Sequence, residues 1–274
     1  MTKDTVLLEE LSWTEIADCI ADGYDTAILA CGAIEQHGPH LPVGVDTYLG
    51  YSLAEATARK LGNALVAPTL RPGCSDHHIN FPGTLSVSRE TFVRLMEEYC
   101  ESLANSGFEN VVLIPSHGGN VDVMRTFSPR IARKLQGEAS VHFVEPDFAA
   151  LLDFWEDIGV TREEAGVHAG YGETARMLAD YEALVDMDKA EEGMTIPEFY
   201  DEKRIPLSQL ESFIHGIDSQ VPNGILGDPR GATAAHGEDI KDIIAENLAD
   251  QIIDRIESEP LSMDLPDSVA HEYH

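Results

Sequence analysis

The apolar positions of this chain fall into short continuous runs separated by longer amphipathic stretches, and that alternation predicts the architecture. Thr26-Ala27-Ile28-Leu29-Ala30-Cys31 carries no charge over six residues and reads as a buried strand. Ala64-Leu65-Val66-Ala67-Pro68, Asn110-Val111-Val112-Leu113-Ile114-Pro115 and Val141-His142-Phe143-Val144 repeat the pattern. Helix-length stretches lie between them. Ser12 with Glu15 three residues later is a capping-box pattern that opens a first helix, running to about Asp22 and stopping at Gly23. A second helix starts near Asp46 or Thr47 and ends at Gly62, and a third runs from Ser88 to about Asn105. A fourth follows Asn120, to about Leu135. Further on, Phe148 to Ile158 and Glu173 to Leu178 have helical spacing, and Glu238 to Glu257 reads as a closing amphipathic helix. Strands alternating with helices imply an α/β fold, a three-layer α/β/α sandwich around a mostly parallel sheet.

The weaker patterning from Met187 to Ser219 reads as a surface excursion, with tight turns at Asn223-Gly224 and Gly227-Asp228-Pro229. No repeat and no sharp change of composition divides the 274 residues, so a single domain over 1–274 is expected, with 260–274 as an irregular arm.

Composition narrows the setting. Six Lys and twelve Arg stand against 49 acidic residues, a formal net charge of −31. Such a surface repels nucleic acid and anionic membranes. The acids are dispersed and Lys is scarce, which points to a salt-rich cytoplasm such as that of a haloarchaeon, where screening suppresses self-repulsion. No stretch has the roughly eighteen apolar residues of a membrane span, and Met1-Thr2-Lys3-Asp4 opens no secretory signal, so a cytoplasmic location is expected. Cys19, Cys31, Cys74 and Cys100 form no C-x-x-C pair and read as reduced, mostly buried thiols.

Candidate chemistry lies where the predicted strands end, the place at which open α/β sheets bind ligands. Glu35, His37 and Asp46 follow the first strand, and His117-Gly118-Gly119-Asn120 follows the third. If those strands are neighbours, two His and two carboxylates converge, a set that suits Zn²⁺, Mn²⁺ or Fe²⁺. A single strand-end His is ordinarily just a satisfied polar residue. Four such donors on two adjoining loops carry more weight. His168 stands five residues before Glu173; the first suits proton transfer and the second could complete a coordination shell. Taken alone, Glu173 needs no explanation beyond a favourable place at a helix start. His77 and His78 read as loop-shaping or substrate-facing, and His40 as structural. No G-x-S-x-G elbow, Walker A sequence or G-x-G-x-x-G fingerprint is present.

The stretch Gly32-Ala33-Ile34-Glu35-Gln36-His37-Gly38-Pro39-His40-Leu41-Pro42, followed by Asp46, resembles the first motif of the creatininase (creatinine amidohydrolase) family. Ser75-Asp76-His77-His78 to Phe81-Pro82-Gly83-Thr84, Ser116-His117-Gly118-Gly119-Asn120, and His168-Ala169-Gly170 to Glu173-Thr174 resemble its later motifs, in family order. Gly227-Asp228-Pro229 with Ala232-Thr233 matches a turn near its end. The resemblance implies a creatininase-like fold and two divalent ions, with Glu35 and His117 on one, His37 on the other and Asp46 bridging. Creatininase itself uses a Glu two residues after the third-motif His. Gly119 stands there in this chain, so Glu173 is expected to supply that carboxylate. His168 falls on the catalytic His, and Ser75, Gly118 and His168 fall at substrate-contacting positions.

Two departures bear on substrate. Creatininase carries tryptophans just before its catalytic His, where this chain has Glu164-Ala165-Gly166-Val167. The aromatic residue after the third-motif His is replaced by Gly118. The resemblance therefore implies hydrolysis of a C–N amide bond, in a cyclic amide such as creatinine, by a metal-activated water. The alternatives are a formamidopyrimidine ribotide deformylase of archaeal flavin and deazaflavin synthesis, and a metal-binding protein without catalysis. The family also includes a peptidase that trims a peptide-derived redox cofactor. A homo-oligomer, up to a hexamer, acting on a small-molecule amide completes the expectation.

Overall fold

The computed structural model describes residues 4–195, 211–212 and 214–258, so the arm expected over 260–274 and part of the 187–219 excursion lie outside the described residues. Four parallel strands form the sheet: β1 (Thr26–Cys31), β2 (Ala64–Val66), β3 (Asn110–Pro115) and β4 (Ser140–Phe143), in the order β2-β1-β3-β4. Every residue of β1 and β3 is buried, as expected for unbroken apolar runs in a parallel sheet covered on both faces. The register pairs Thr26 with Asn110 and Cys31 with Pro115, so the two strands end side by side.

Helices α1 (Trp13–Ala21), α2 (Val45–Leu61), α3 (Arg89–Asn105) and α4 (Gly118–Lys134) precede or link the strands. The connection through α2 runs from β1 outward to β2, whereas α3 carries the chain back past β1 to β3 and α4 carries it on to β4. With right-handed crossovers, that reversal places α2 on one face and α3 and α4 on the other. It also opens a crevice at the carboxyl ends of β1 and β3, the switch point of the topology. Beyond β4 come α5 (Leu152–Ile158), α6 (Arg162–Ala165), α7 (Tyr171–Tyr181) and α8 (Ala234–Glu257). Helix α8 packs on α7 and α2, which thickens the layer on the α2 side. No helix among the described residues is long and apolar enough to cross a membrane.

Local signals account for most boundaries. Ser12 Oγ accepts from Glu15 N–H while the Glu15 carboxylate accepts from Ser12 N–H, the expected reciprocal box. Thr161 and Glu164 make a second box that starts the short α6, an element not predicted above. Helix α8 begins four residues before the expected Glu238, because Thr233 caps it by accepting from His236 N–H. All four cysteines are buried and free.

Candidate metal centre

The loop after β1 is tied down by backbone contacts before any side chain enters the site. Glu35 N–H donates to Val43 O at 2.7 Å, and Leu85 N–H to Ile34 O at 2.9 Å. Thr47 Oγ1 donates to Ala33 O at 3.0 Å, and Ser116 Oγ to Asp46 O at 2.8 Å, so the start of α2 is fastened to the ends of both central strands. Asp46 lies in the first turn of α2, where the helix dipole favours its negative charge. Asn120 clamps the same region from α4: its amide donates to Gly32 O and accepts from Cys74 N–H.

Four residues foreseen from the two strand ends come together, and α7 adds a fifth. His117 Nδ1 is 3.1 Å from Asp46 Oδ2, and His117 Nε2 is 3.5 Å from Glu35 Oε2. His37 Nε2 is 3.4 Å from Asp46 Oδ1 and 3.6 Å from Glu173 Oε2. Two triads result, Glu35/Asp46/His117 and His37/Asp46/Glu173, each with one donor atom per residue within 4.8 Å of the others. Asp46 belongs to both. Glu35, His37, Asp46 and His117 are buried; Glu173 is less so.

Carbonyl groups fix which nitrogen each His presents. His37 Nδ1 donates to Glu35 O at 2.9 Å, leaving Nε2 toward Asp46 and Glu173. His117 Nε2 donates to Cys74 O at 3.1 Å, leaving Nδ1 toward Asp46. Such outer hydrogen bonds orient a ligating His and raise its basicity. Ser75 Oγ, fully buried, lies 3.3 Å from the same His117 Nε2. Glu35 Oε2, His37 Nε2 and Asp46 Oδ2 are buried yet engage in no hydrogen bond. Desolvated polar atoms without partners are costly. Three of them in one cluster of imidazole and carboxylate donors fit a divalent transition-metal ion.

The electrostatics of the bare site fit as well. Burial alone would lower His37, but Asp46 and Glu173 outweigh it and push its pKa up to about 10. His117 is likewise opposed by burial and raised to about 9 by Glu35 and Asp46. Burial raises Glu35 to about 7, against the pull of His117. Burial would raise Asp46 too, yet His37 and His117 hold it well below the usual carboxylate range.

Metal-free protein at pH 7 therefore carries protons on both His, and a bound ion must displace them. Its apparent affinity is expected to rise about tenfold per pH unit for each proton displaced, from about pH 6 to 9. Calorimetry in buffers of different ionisation enthalpy counts the protons; an affinity flat across that range would contradict the assignment. Stability follows the same linkage. The stabilisation from His37 and His117 is full below their ordinary value of 6.5 and is lost as pH rises through about 9 and about 10. Glu35 acts in the same direction, losing stability as pH rises from its ordinary 4.5 through about 7.

Gly119 explains why the carboxylate comes from α7. A Cβ there would lie 2.2 Å from Cys74 O and 2.5 Å from His117 Nε2, so no side chain fits. Gly118, by contrast, has open space where a Cβ would stand. Glu173 Oε2 also accepts Ala169 N–H at 2.6 Å, and Ala169 takes a φ of 53°, the one left-handed non-glycine among the described residues. Backbone strain of this kind persists where surrounding structure enforces it. Here it sets the turn between His168 and Glu173. His168 itself is pinned to a neighbouring segment, since Leu226 N–H donates to His168 O at 2.8 Å.

His168 Nδ1 lies 3.6 Å from Glu35 Oε1, and its Nε2 is 2.8 Å from Gln36 O. Burial, reinforced by His37, holds His168 well below its ordinary pKa, so it is neutral in the bare site. Residues 76–78 form a single 3-10 turn that carries His78 inward, with Nε2 3.4 Å from Glu35 Oε1. Glu35, His77 and His78 make a further donor group within 4.8 Å. The sequence reading gave Gln36 no part in the site, whereas His78 was expected to shape the loop or face substrate and here lies against Glu35. His40 is buried, its Nε2 2.9 Å from Thr174 Oγ1, and His236 hydrogen-bonds Tyr171 away from the site. His271 and His274 lie outside the described residues.

Comparison with known proteins adds an independent line. The family model for creatininase, described as creatinine amidohydrolase, matches residues 9–252. A mycofactocin precursor peptide peptidase of Mycolicibacterium smegmatis is 30% identical over 232 residues, covering 82% of this chain and 83% of the relative. The creatinine amidohydrolase of Pseudomonas putida is 27% identical over 267 residues, covering 90% and 96%. Among solved structures, a creatininase crystal structure superposes with a TM-score of 0.76 at 25% identity, covering 94% of this chain and all of that one. A manganese form of creatininase gives the same TM-score and identity over 93% of this chain.

Proposed function

Because the chain belongs to the creatininase family, we propose that it hydrolyses a C–N amide bond with two divalent ions, zinc, manganese or iron, held between the two triads that share Asp46. The observation that carries this reading is the pair of donor sets meeting at one buried carboxylate, with three donor atoms left without hydrogen-bond partners. In it, Glu35, Asp46 and His117 hold one ion, and His37, Asp46 and Glu173 hold the other.

Bound there, the ions supply Lewis acidity, which makes a water acidic near neutral pH and polarises a carbonyl. The chain's own groups do the rest. His168 keeps its Nε2 proton on Gln36 O and presents Nδ1 to the site, where it takes a proton and returns it to the leaving nitrogen. Burial of Glu35, Asp46 and His37 excludes bulk water from one side and strengthens each charge interaction. The open space beside Gly118 lets a substrate approach the backbone after β3.

A linear amide fits this site better than a flat ring. Residues 164–167 present no aromatic side chain, and among the described residues the rings that contact His168 are those of His37 and His78. The relatedness to a precursor peptide peptidase agrees with a peptide-like substrate. The reading also includes a homo-oligomer of a salt-adapted cytoplasmic protein, in keeping with the net charge of −31. The test is turnover of a short peptide, a formamide and creatinine by one metal-analysed sample in concentrated salt. The expected order is peptide or formamide ahead of creatinine. Creatinine as the best substrate would overturn the linear assignment, and no hydrolysis by metal-replete protein would overturn the amidohydrolase reading.

A further inference from the structure

Gln36 sits between Glu35 and His37, is buried, and has an amide whose orientation the backbone dictates. Gly38 N–H donates to Gln36 Oε1 at 2.9 Å, so the other end of the amide is the nitrogen. That Nε2 lies 2.8 Å from His78 Nδ1, 2.9 Å from His168 Nε2 and 3.1 Å from Gly224 O. An amide nitrogen has two hydrogens for these three neighbours.

One assignment satisfies Gln36 O, Gly224 O and His78 Nδ1 together. His168 Nε2 is also 2.8 Å from Gln36 O, and a carbonyl can only accept. His168 therefore donates from Nε2 to that carbonyl, and the amide hydrogens go to His78 Nδ1 and Gly224 O. His168 Nδ1 is left bare toward the site, and His78 is left with its proton on Nε2, toward Glu35 Oε1. Gly224 makes the arrangement sterically feasible. A Cβ there would lie 2.1 Å from Gln36 Oε1, and its φ of +71° suits glycine. The Asn223-Gly224 turn thus closes directly on the Gln36 amide.

We propose that Gln36 is a positioning residue that sets the tautomers of two active-site histidines, locking His78 and His168 with their protons on Nε2 and leaving His168 Nδ1 as the reactive nitrogen. The catalytic part of this inference rests on the role proposed above for His168; the tautomers do not.

The test is long-range ¹H–¹⁵N correlation of histidine-labelled, zinc-supplemented full-length protein, assigned by substitution of His78 and His168. Unsubstituted protein is expected to show both rings protonated on Nε2. Gln36→Glu offers only acceptors, so His78 is expected to switch its proton to Nδ1. Gln36→Leu is expected to lower kcat about 10–100-fold, the range for outer hydrogen-bond partners, with KM and metal content within threefold of the unsubstituted values. Either His78 or His168 protonated on Nδ1 in the unsubstituted protein would overturn the proposal, even if neither variant folds. So would an unchanged His78 tautomer in folded Gln36→Glu, or an unchanged kcat in Gln36→Leu. Absence of any hydrolysis by the unsubstituted protein would count against the amidohydrolase reading alone, because the tautomers are read without substrate.

Discussion

Asp46→Ala is expected to reduce amide hydrolysis to background and to remove most of the bound metal. Every other donor of the two triads belongs to one of them, but Asp46 belongs to both, with Oδ1 facing His37 and Oδ2 facing His117. Its loss therefore breaks both donor sets at once. The metal-free protein should suffer as well. Asp46 is the strongest raising influence on His37 and, after Glu35, raises His117 as well, so without it two buried imidazoles lose a charge partner. Removing one member of a buried charged pair costs about 3–5 kcal/mol. Asp46→Asn keeps the shape and removes the charge, so the two variants separate packing from electrostatics. Elemental analysis and thermal unfolding on the same samples give the readouts. An Asp46→Ala protein that retains stoichiometric metal and turnover would refute the shared-ligand assignment.

His168→Ala should lose rate without losing metal, with kcat lower by about 10²–10⁴-fold and metal content intact. His168 is buried against His37 and His78 and touches Glu35 only through Nδ1 at 3.6 Å, whereas both triads are complete without it. A proton carrier removed from such a place leaves the Lewis acid in position and slows the step that needs a proton. His168→Ala that sheds a metal equivalent would instead make His168 a ligand, which its place in the Glu35/His37/His168 group would allow. The paired results discriminate between the roles, since Asp46→Ala loses metal and rate together and His168→Ala loses rate alone.

The parts of this site legible in the sequence were those carried by regular structure. β1 and β3 are unbroken apolar runs, so their ends, and with them Glu35, His37, Asp46 and His117, could be located before the fold was known. Whether the two strands were neighbours depended on the reversal of crossovers between β2 and β3, a long-range property that no local pattern encodes. Glu173 was ambiguous for a related reason. An acid in the first turn of a helix needs no function, and only the docking of α7 beside α2 brings it within 3.6 Å of His37. Gln36 was missed, and His78 was read only as loop-shaping or substrate-facing, because side-chain direction in loops and short turns follows from contacts distant in the chain. Gln36 meets Gly224 across 188 positions, and His168 across 132. The short α6 and the early start of α8 have capping signals in the sequence, Thr161 with Glu164 and Thr233, which a reading by apolar periodicity does not register.

Glu173 reaches the centre from α7, and α7 rests on α8, which ends at Glu257. That order along the chain has a consequence for biogenesis. On the ribosome, Glu35, Asp46 and His117 have all been made by the start of α4, so the donors of the first triad precede the second half of the polypeptide. The second waits until translation has passed the helix that supports α7. On the proposed function, both donor sets can be complete only after α8, the last helix among the described residues, has been made.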